Sequence, residues 1–177
     1  MGPNPYFPPT RRIAMFQHII GVFKLNSQTF ETIEKDTSLT GSAALIVVIV
    51  SILSGLGNGF FNTFSDQSFL GGFIGGVLAV LLGWLLWSAI TWFVGTRLFK
   101  GQADLGEMLR VIGFAYSPQI LSIIPCIGGI IGAIWTLAAG FVAVRQGLDL
   151  DNTKTFMTIA VGFVAYLALM YFVNTIF

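Results

Sequence analysis

The sequence predicts an all-α polytopic membrane protein: a bundle of five transmembrane helices with an N-terminal amphipathic helix lying in the membrane interface. Three observations carry that expectation. Hydrophobic residues make up 55% of the 177 and charged residues only 10%, more apolar than a soluble domain needs. Four windows, 37–65, 67–96, 111–144 and 155–177, contain no charged residue, and each exceeds the ~20 apolar residues that cross a bilayer. The nine Lys and Arg residues, finally, sort to one side of the chain when five spans are drawn.

The span count rests on window 111–144. As one helix it would be about 50 Å long, against a hydrocarbon core of about 30 Å. Pro125 and Gly128-Gly129 fall near its middle, where a missing donor and two flexible residues favour a tight hairpin. The expected spans are therefore about 42–62, 69–96, 106–124, 127–145 and 154–175. Arg11, Arg12, Lys24 and Lys35 then precede the first span, Arg97, Lys100 and Arg110 lie around the second connection, and Arg145 and Lys154 lie around the fourth. The other connections and the tail hold no cation, so the N-terminus is expected in the cytoplasm and the C-terminus outside. A re-entrant pair over 106–145 would obey the same parity. No short apolar core precedes a cleavage site near the start, so the spans are expected to remain in the mature protein of the plasma membrane.

Ahead of the spans, residues 1–10 carry four prolines and are expected to be a disordered tail, while 11–40 are expected to form cytoplasmic and interfacial helices, and 41–177 the transmembrane domain. In "RRIAMFQHIIGVF", Ile13, Phe16, Ile20 and Phe23 share a helical face suited to the membrane interface; packing on the bundle end is the alternative. Asn26 or Ser27 is placed to cap the next helix. Asp104 and Glu107 have the spacing of a capping box at the start of the third span.

Chemistry is sparse. There is one His and one Cys, with no metal-ligand spacing, no phosphate loop and no paired carboxylates at membrane depth, so an enzyme, a metal and a cofactor are not expected. A net charge of +1 supplies no field for nucleic acid. Proton relays need ionisable groups deep in the membrane, and none falls there. What remains is a polar patch: Tyr116, Ser117 and Gln119 gathered at Pro118, with Asn58 at similar depth, suited either to helix-to-helix hydrogen bonds or to a polar solute or lipid headgroup. Arg11, Arg12, Arg97, Lys100, Arg110 and Arg145 are candidates for contact with anionic headgroups or a partner's acidic segment. Steps of four in Gly55 and Gly59, in Gly71, Gly75, Ala79 and Gly83, and in Gly128 and Gly132 predict close helix packing, within the chain or in a homo-oligomer.

Three stretches carry a resemblance to a known family. "LFKGQADLGEMLRVIGFAYSPQILSIIPCIGG" (98–129), "IWTLAAGFVAVRQGLDLDNTKT" (134–155) and "VFKLNSQTFETI" (22–33) resemble, in order and spacing, the Yip family of Ypt/Rab-interacting membrane proteins, in a short prokaryotic-type form. The resemblance implies a five-span protein with a cytoplasmic N-terminus; eukaryotic relatives act in vesicle traffic and bind prenylated Rab GTPases and one another. Those relatives carry an acidic Asp-Leu-x-Gly-Pro element before the first span. Here "TSLTGSAAL" (37–45) keeps Gly41 without the acid or the proline, so small-GTPase binding does not carry over. The expected role is a non-enzymatic, membrane-organising or trafficking-type adaptor acting on the bilayer and other membrane proteins; the alternative is a permease, channel or lipid-translocating protein working through the polar patch.

Overall fold

A computed structural model describes residues 11–124 and 127–176; the proline-rich tail, Pro125 and Cys126 lie outside the described residues. The described chain is helical throughout: α1 (Arg11–Phe23), α2 (Ser27–Lys35), a 3-10 turn (Thr37–Leu39), α3 (Thr40–Phe64), α4 (Phe69–Phe99), α5 (Leu105–Ala115), a 3-10 segment (Ser117–Ile123), α6 (Gly128–Gly147) and α7 (Asn152–Ile176). Among the described residues three helices are long and apolar enough to cross a membrane, Thr37–Phe64, Phe69–Phe99 and Gly128–Gly147. The stretch expected as the third span, 106–124, is α5 followed by the 3-10 segment, with the irregularity at Pro118. Pro118 supplies no amide hydrogen and disfavours helical backbone at Ser117, so the α-helix stops one turn short of it.

Local signals fix the helix ends. Asn26 Oδ1 accepts from the Gln28 amide at 2.9 Å and starts α2. Ser68 Oγ does the same for Gly71 in α4, and the Asp104–Glu107 capping box forms with bonds of 2.6 and 2.7 Å. Leu25, Asp66, Lys100 and Asp149 adopt left-handed backbone just past α1, α3, α4 and α6. At Lys100 this lets the Gly101 amide reach back to the Gly95 carbonyl at 2.9 Å, closing the helix without a glycine at the bend.

α5 is the central helix. Met108 and the run Arg110–Ala115 are buried, walled by α2, α3, α4 and α6. Val22, Phe30 and Ile33 of the first two helices pack into the same core as Val111, Phe114 and Val144. The His18 ring meets Phe114 edge-on at 6.0 Å. α1 therefore packs on the bundle end through Met15, Ile19 and Val22, while Phe16 and Ile20 of the expected interfacial stripe point outward. On α4 the outward stripe is Leu70, Ile74, Leu78, Leu82 and Leu85, an apolar face that water would not tolerate and lipid does.

Glycine joins α3 to α4. A Cβ built on Gly55 would sit 2.7 Å from the Phe73 carbonyl oxygen, and one on Gly59 2.8 Å from the Phe69 ring. On the α4 side the contact falls to Gly72 and Gly76, not to Gly71 and Gly75: a Cβ on Gly76 would lie 2.8 Å from Gly55 Cα, whereas Gly75 has open space and Gly71 meets only Ser68 of its own cap. Two glycine pairs side by side gave the sequence two registers of equal merit, and packing selected the second. Gly76→Leu should lower thermal stability in detergent by about 1–3 kcal/mol through overpacking, while Gly75→Leu should stay within about 0.5 kcal/mol of the parent.

Candidate functional site

The break at Pro118 builds a cavity. A volume of about 470 Å³ lies at its side, floored by Val50, Ile112 and Ala115 and walled by residues of α4, α6 and α7. Tyr116 and Gln119 of the expected patch line it, and sequence reasoning missed Ser54 and Tyr166, which line it with them. Tyr166 follows Ile159 and Phe163 at helical spacing, a signal that could have placed all three on one face. Gln119 Oε1 accepts from Thr136 Oγ1 at 3.3 Å, while the Tyr116 hydroxyl has no hydrogen-bond partner among the described residues. No acid, base or thiol lines the cavity among the described residues.

The rest of the patch lies elsewhere. Ser117 and Pro118 are buried against the bundle, and Ser117 Oγ has no partner among the described residues. Asn58 is not at the cavity: its amide donates to the Ser54 carbonyl at 2.8 Å and stands exposed on α3 beside Gly76. Of the glycines expected in packing, Gly132 faces the Pro118 carbonyl, with a built Cβ 3.1 Å away, and Gly128 packs against the Leu121 carbonyl. Gly83 departs from that role. It lines the cavity, its nearest neighbour being the Tyr116 hydroxyl, 3.9 Å from a built Cβ.

Above the cavity sits a collar. Arg110, expected to reach headgroups, is buried and donates Nε to the Ile33 and Glu34 carbonyls at 3.3 and 3.2 Å, with Nη2 also on Glu34 O. These are the last-turn carbonyls of α2, where a cation also meets the negative end of the helix dipole. Arg145 is likewise spent inside the fold, donating to Gln146 Oε1, Asn152 Oδ1 and Ser27 Oγ at 3.0, 3.0 and 3.2 Å. Gln146 Nε2 reaches Glu31 at 3.1 Å, and three tryptophan indoles stitch carbonyls: Trp84 to Leu109, Trp92 to Ala103 and Trp135 to Phe23. Arg97 and Lys100 remain exposed. The side chains of Arg11 and Arg12, at the start of α1, lie outside the described residues.

Glu34, which nothing in the sequence marked, is the unusual acid. Burial, then the nearby charges of Asp149, Glu107 and Glu31, push its carboxyl from 4.5 up to about 7, against the opposing pull of Lys35. Arg110 offers it no relief, since the guanidinium serves the Glu34 carbonyl rather than its carboxylate.

Two outcomes follow from the collar. Arg110→Met leaves the α2 carbonyls unsatisfied and should release that helix by about 2–3 kcal/mol, read as faster amide exchange over 30–36 with α4 unchanged. Because the folded-state pKa of Glu34 is raised, the folded protein holds the extra proton between 4.5 and about 7, and stability is lost as pH rises through that range. Thermal unfolding at pH 5 and pH 8 should therefore differ more for the parent than for Glu34→Gln.

No curated protein and no solved structure matches the chain. The family model of the Yip1 domain matches residues 20–173, from the end of α1 through most of α7. A match of that extent, on a chain whose described residues are mostly helical and include three helices fit to cross a bilayer, makes this a membrane protein of the Yip1 domain family.

Proposed function

We propose that the chain is a non-enzymatic, five-span protein of the plasma membrane that recruits or organises other membrane components through its collar, with the N-terminus cytoplasmic and the C-terminus outside. The carrying observation is that α2 is clamped to the bundle by Arg110 and Arg145 while Arg97 and Lys100, at the end of α4, stay exposed. Such a platform presents fixed cations to anionic headgroups or to a partner's acidic segment. For the five spans, α5 and the 3-10 segment laid end to end extend about 30 Å at ~1.5 and ~2.0 Å per residue, enough for the hydrocarbon core. The division into a tail (1–10), interfacial helices (11–40) and a transmembrane domain (41–177) belongs to the same proposal. Small-GTPase binding stays outside it, because residues 37–45 lack the acidic and proline positions.

A cysteine at Leu98, exposed at the collar end of α4, tests orientation and role together in a Cys126→Ser background. An impermeant maleimide-benzophenone should label it only from the cytoplasmic side, and irradiation should capture a second copy or a defined protein partner that a label at lipid-facing Leu78 does not. Protein capture equal at both positions would sink the adaptor reading. The cavity favours a second reading, lipid translocation. It requires labelled phospholipid to equilibrate across reconstituted vesicles faster than across protein-free ones, and equal rates remove it.

A further inference from the structure

We infer that the cavity beside Tyr116 is a binding site for a neutral lipid that carries a carbonyl group on a hydrocarbon body and enters sideways from the bilayer. The inference depends on neither reading above, since a lipid can reside in the site without crossing the membrane and without any protein partner.

The mouth fixes the route. Leu137 of α6 and Phe163 of α7 line the cavity and are yet 75% and 53% exposed, so the opening lies between α6 and α7 and faces the lipid. Val50, Ile112 and Ala115 at the floor are at most 2% exposed. Tyr116 stands one residue past the end of α5, six residues or about 9 Å at ~1.5 Å per residue beyond Arg110 of the collar, within a core of about 30 Å. The neighbours of the mouth at that depth are lipid chains.

The walls fix the chemistry. The volume, about 470 Å³, falls within the ~300–1,000 Å³ typical of ligand sites and far exceeds the small voids of a packed interior. Left empty, its lining would forfeit dispersion contacts along every wall. Gly83 and Gly140 keep it open: a Cβ on Gly140 would meet nothing within 4 Å. The polar side chains of the lining are hydroxyls, one amide and the Trp87 indole, and the Tyr116 hydroxyl is a donor with no partner among the described residues. Gln119 keeps its amide NH₂ for an occupant, because Thr136 engages its carbonyl oxygen. At this depth no water competes, so the donors are satisfied by an acceptor on the occupant. With no acid or base on the wall among the described residues, that acceptor is neutral. A carbonyl meets the requirement, either the ester of a glycerolipid chain or the ring carbonyl of an isoprenoid quinone.

Photolabelling of the full chain in nanodiscs tests the site, with two probes used separately: a phosphatidylcholine bearing a diazirine on one acyl chain, and a diazirine-bearing isoprenoid naphthoquinone. The expected result is adducts concentrated on peptides containing Tyr116–Gln119 and Thr136–Phe141, competed by the unlabelled form of the same lipid. Labelling by one probe alone assigns the source, glycerolipid or quinone. Gly140→Leu, which fills the cavity from a position with free space, should cut those adducts about tenfold, a loss of about 1.4 kcal/mol, while labelling of outward α4 peptides persists. Tyr116→Phe, which removes the donor and keeps the volume, should weaken competition by the unlabelled lipid and guards against a misfolded Gly140 variant. Adducts spread evenly over the lipid-facing helices, or unchanged in both variants, overturn the inference.

Discussion

A proline without an amide hydrogen, at the point where the central helix should have continued, is the constraint on which the rest of this fold depends. Pro118 ends α5 at Ala115 and turns the next seven residues into a tighter 3-10 segment. A 3-10 path has a smaller radius and a different side-chain period, so Tyr116 and Gln119 turn to one side while Ser117 and Pro118 turn into the bundle. The cavity lies on the side to which Tyr116 and Gln119 turn. α6 closes around the break only because Gly128 and Gly132 let its backbone meet the Leu121 and Pro118 carbonyls.

At the other end of α5, the same helix carries the collar. Arg110 is a cation placed where a carboxylate partner would be usual, yet its hydrogen bonds go to two backbone carbonyls at the end of α2. The arrangement satisfies carbonyls that a helix end leaves open and solvates a buried charge with the same contacts. One short helix thus ties the N-terminal helices to the bundle, with the clamp at one end and the break at the other. Glu34, whose backbone carbonyl takes part in the clamp, also carries a carboxyl raised to about 7 by burial and neighbouring acids.

Caps were legible because they are local: Asn26 and the Asp104–Glu107 box involve residues two or three apart, and their geometry needs no partner from elsewhere. Arg110 and Arg145 read as outward cations because charge usually seeks water, and only the arrival of α2 gave them partners 76 or more residues away. Asn58 shares a depth with Tyr116 but not a face, a distinction that depth along a helix does not carry. The tryptophans that stitch the collar left no trace in the pattern, since an indole in an apolar run looks the same whether its nitrogen meets lipid headgroups or a carbonyl.

By itself, then, the sequence determined the solvent and the segments. Long uncharged windows commit the chain to lipid, and prolines and glycines punctuate it, through interactions with bilayer or nearest neighbours that need no fold. Tertiary structure decided which of two adjacent glycine registers α4 presents to α3, which cations are spent as internal clamps, and which polar side chains converge on one cavity. Those outcomes depend on rotation of one helix about its axis against another. A helix in lipid is free to choose that rotation until close packing and the satisfaction of buried polar atoms fix it.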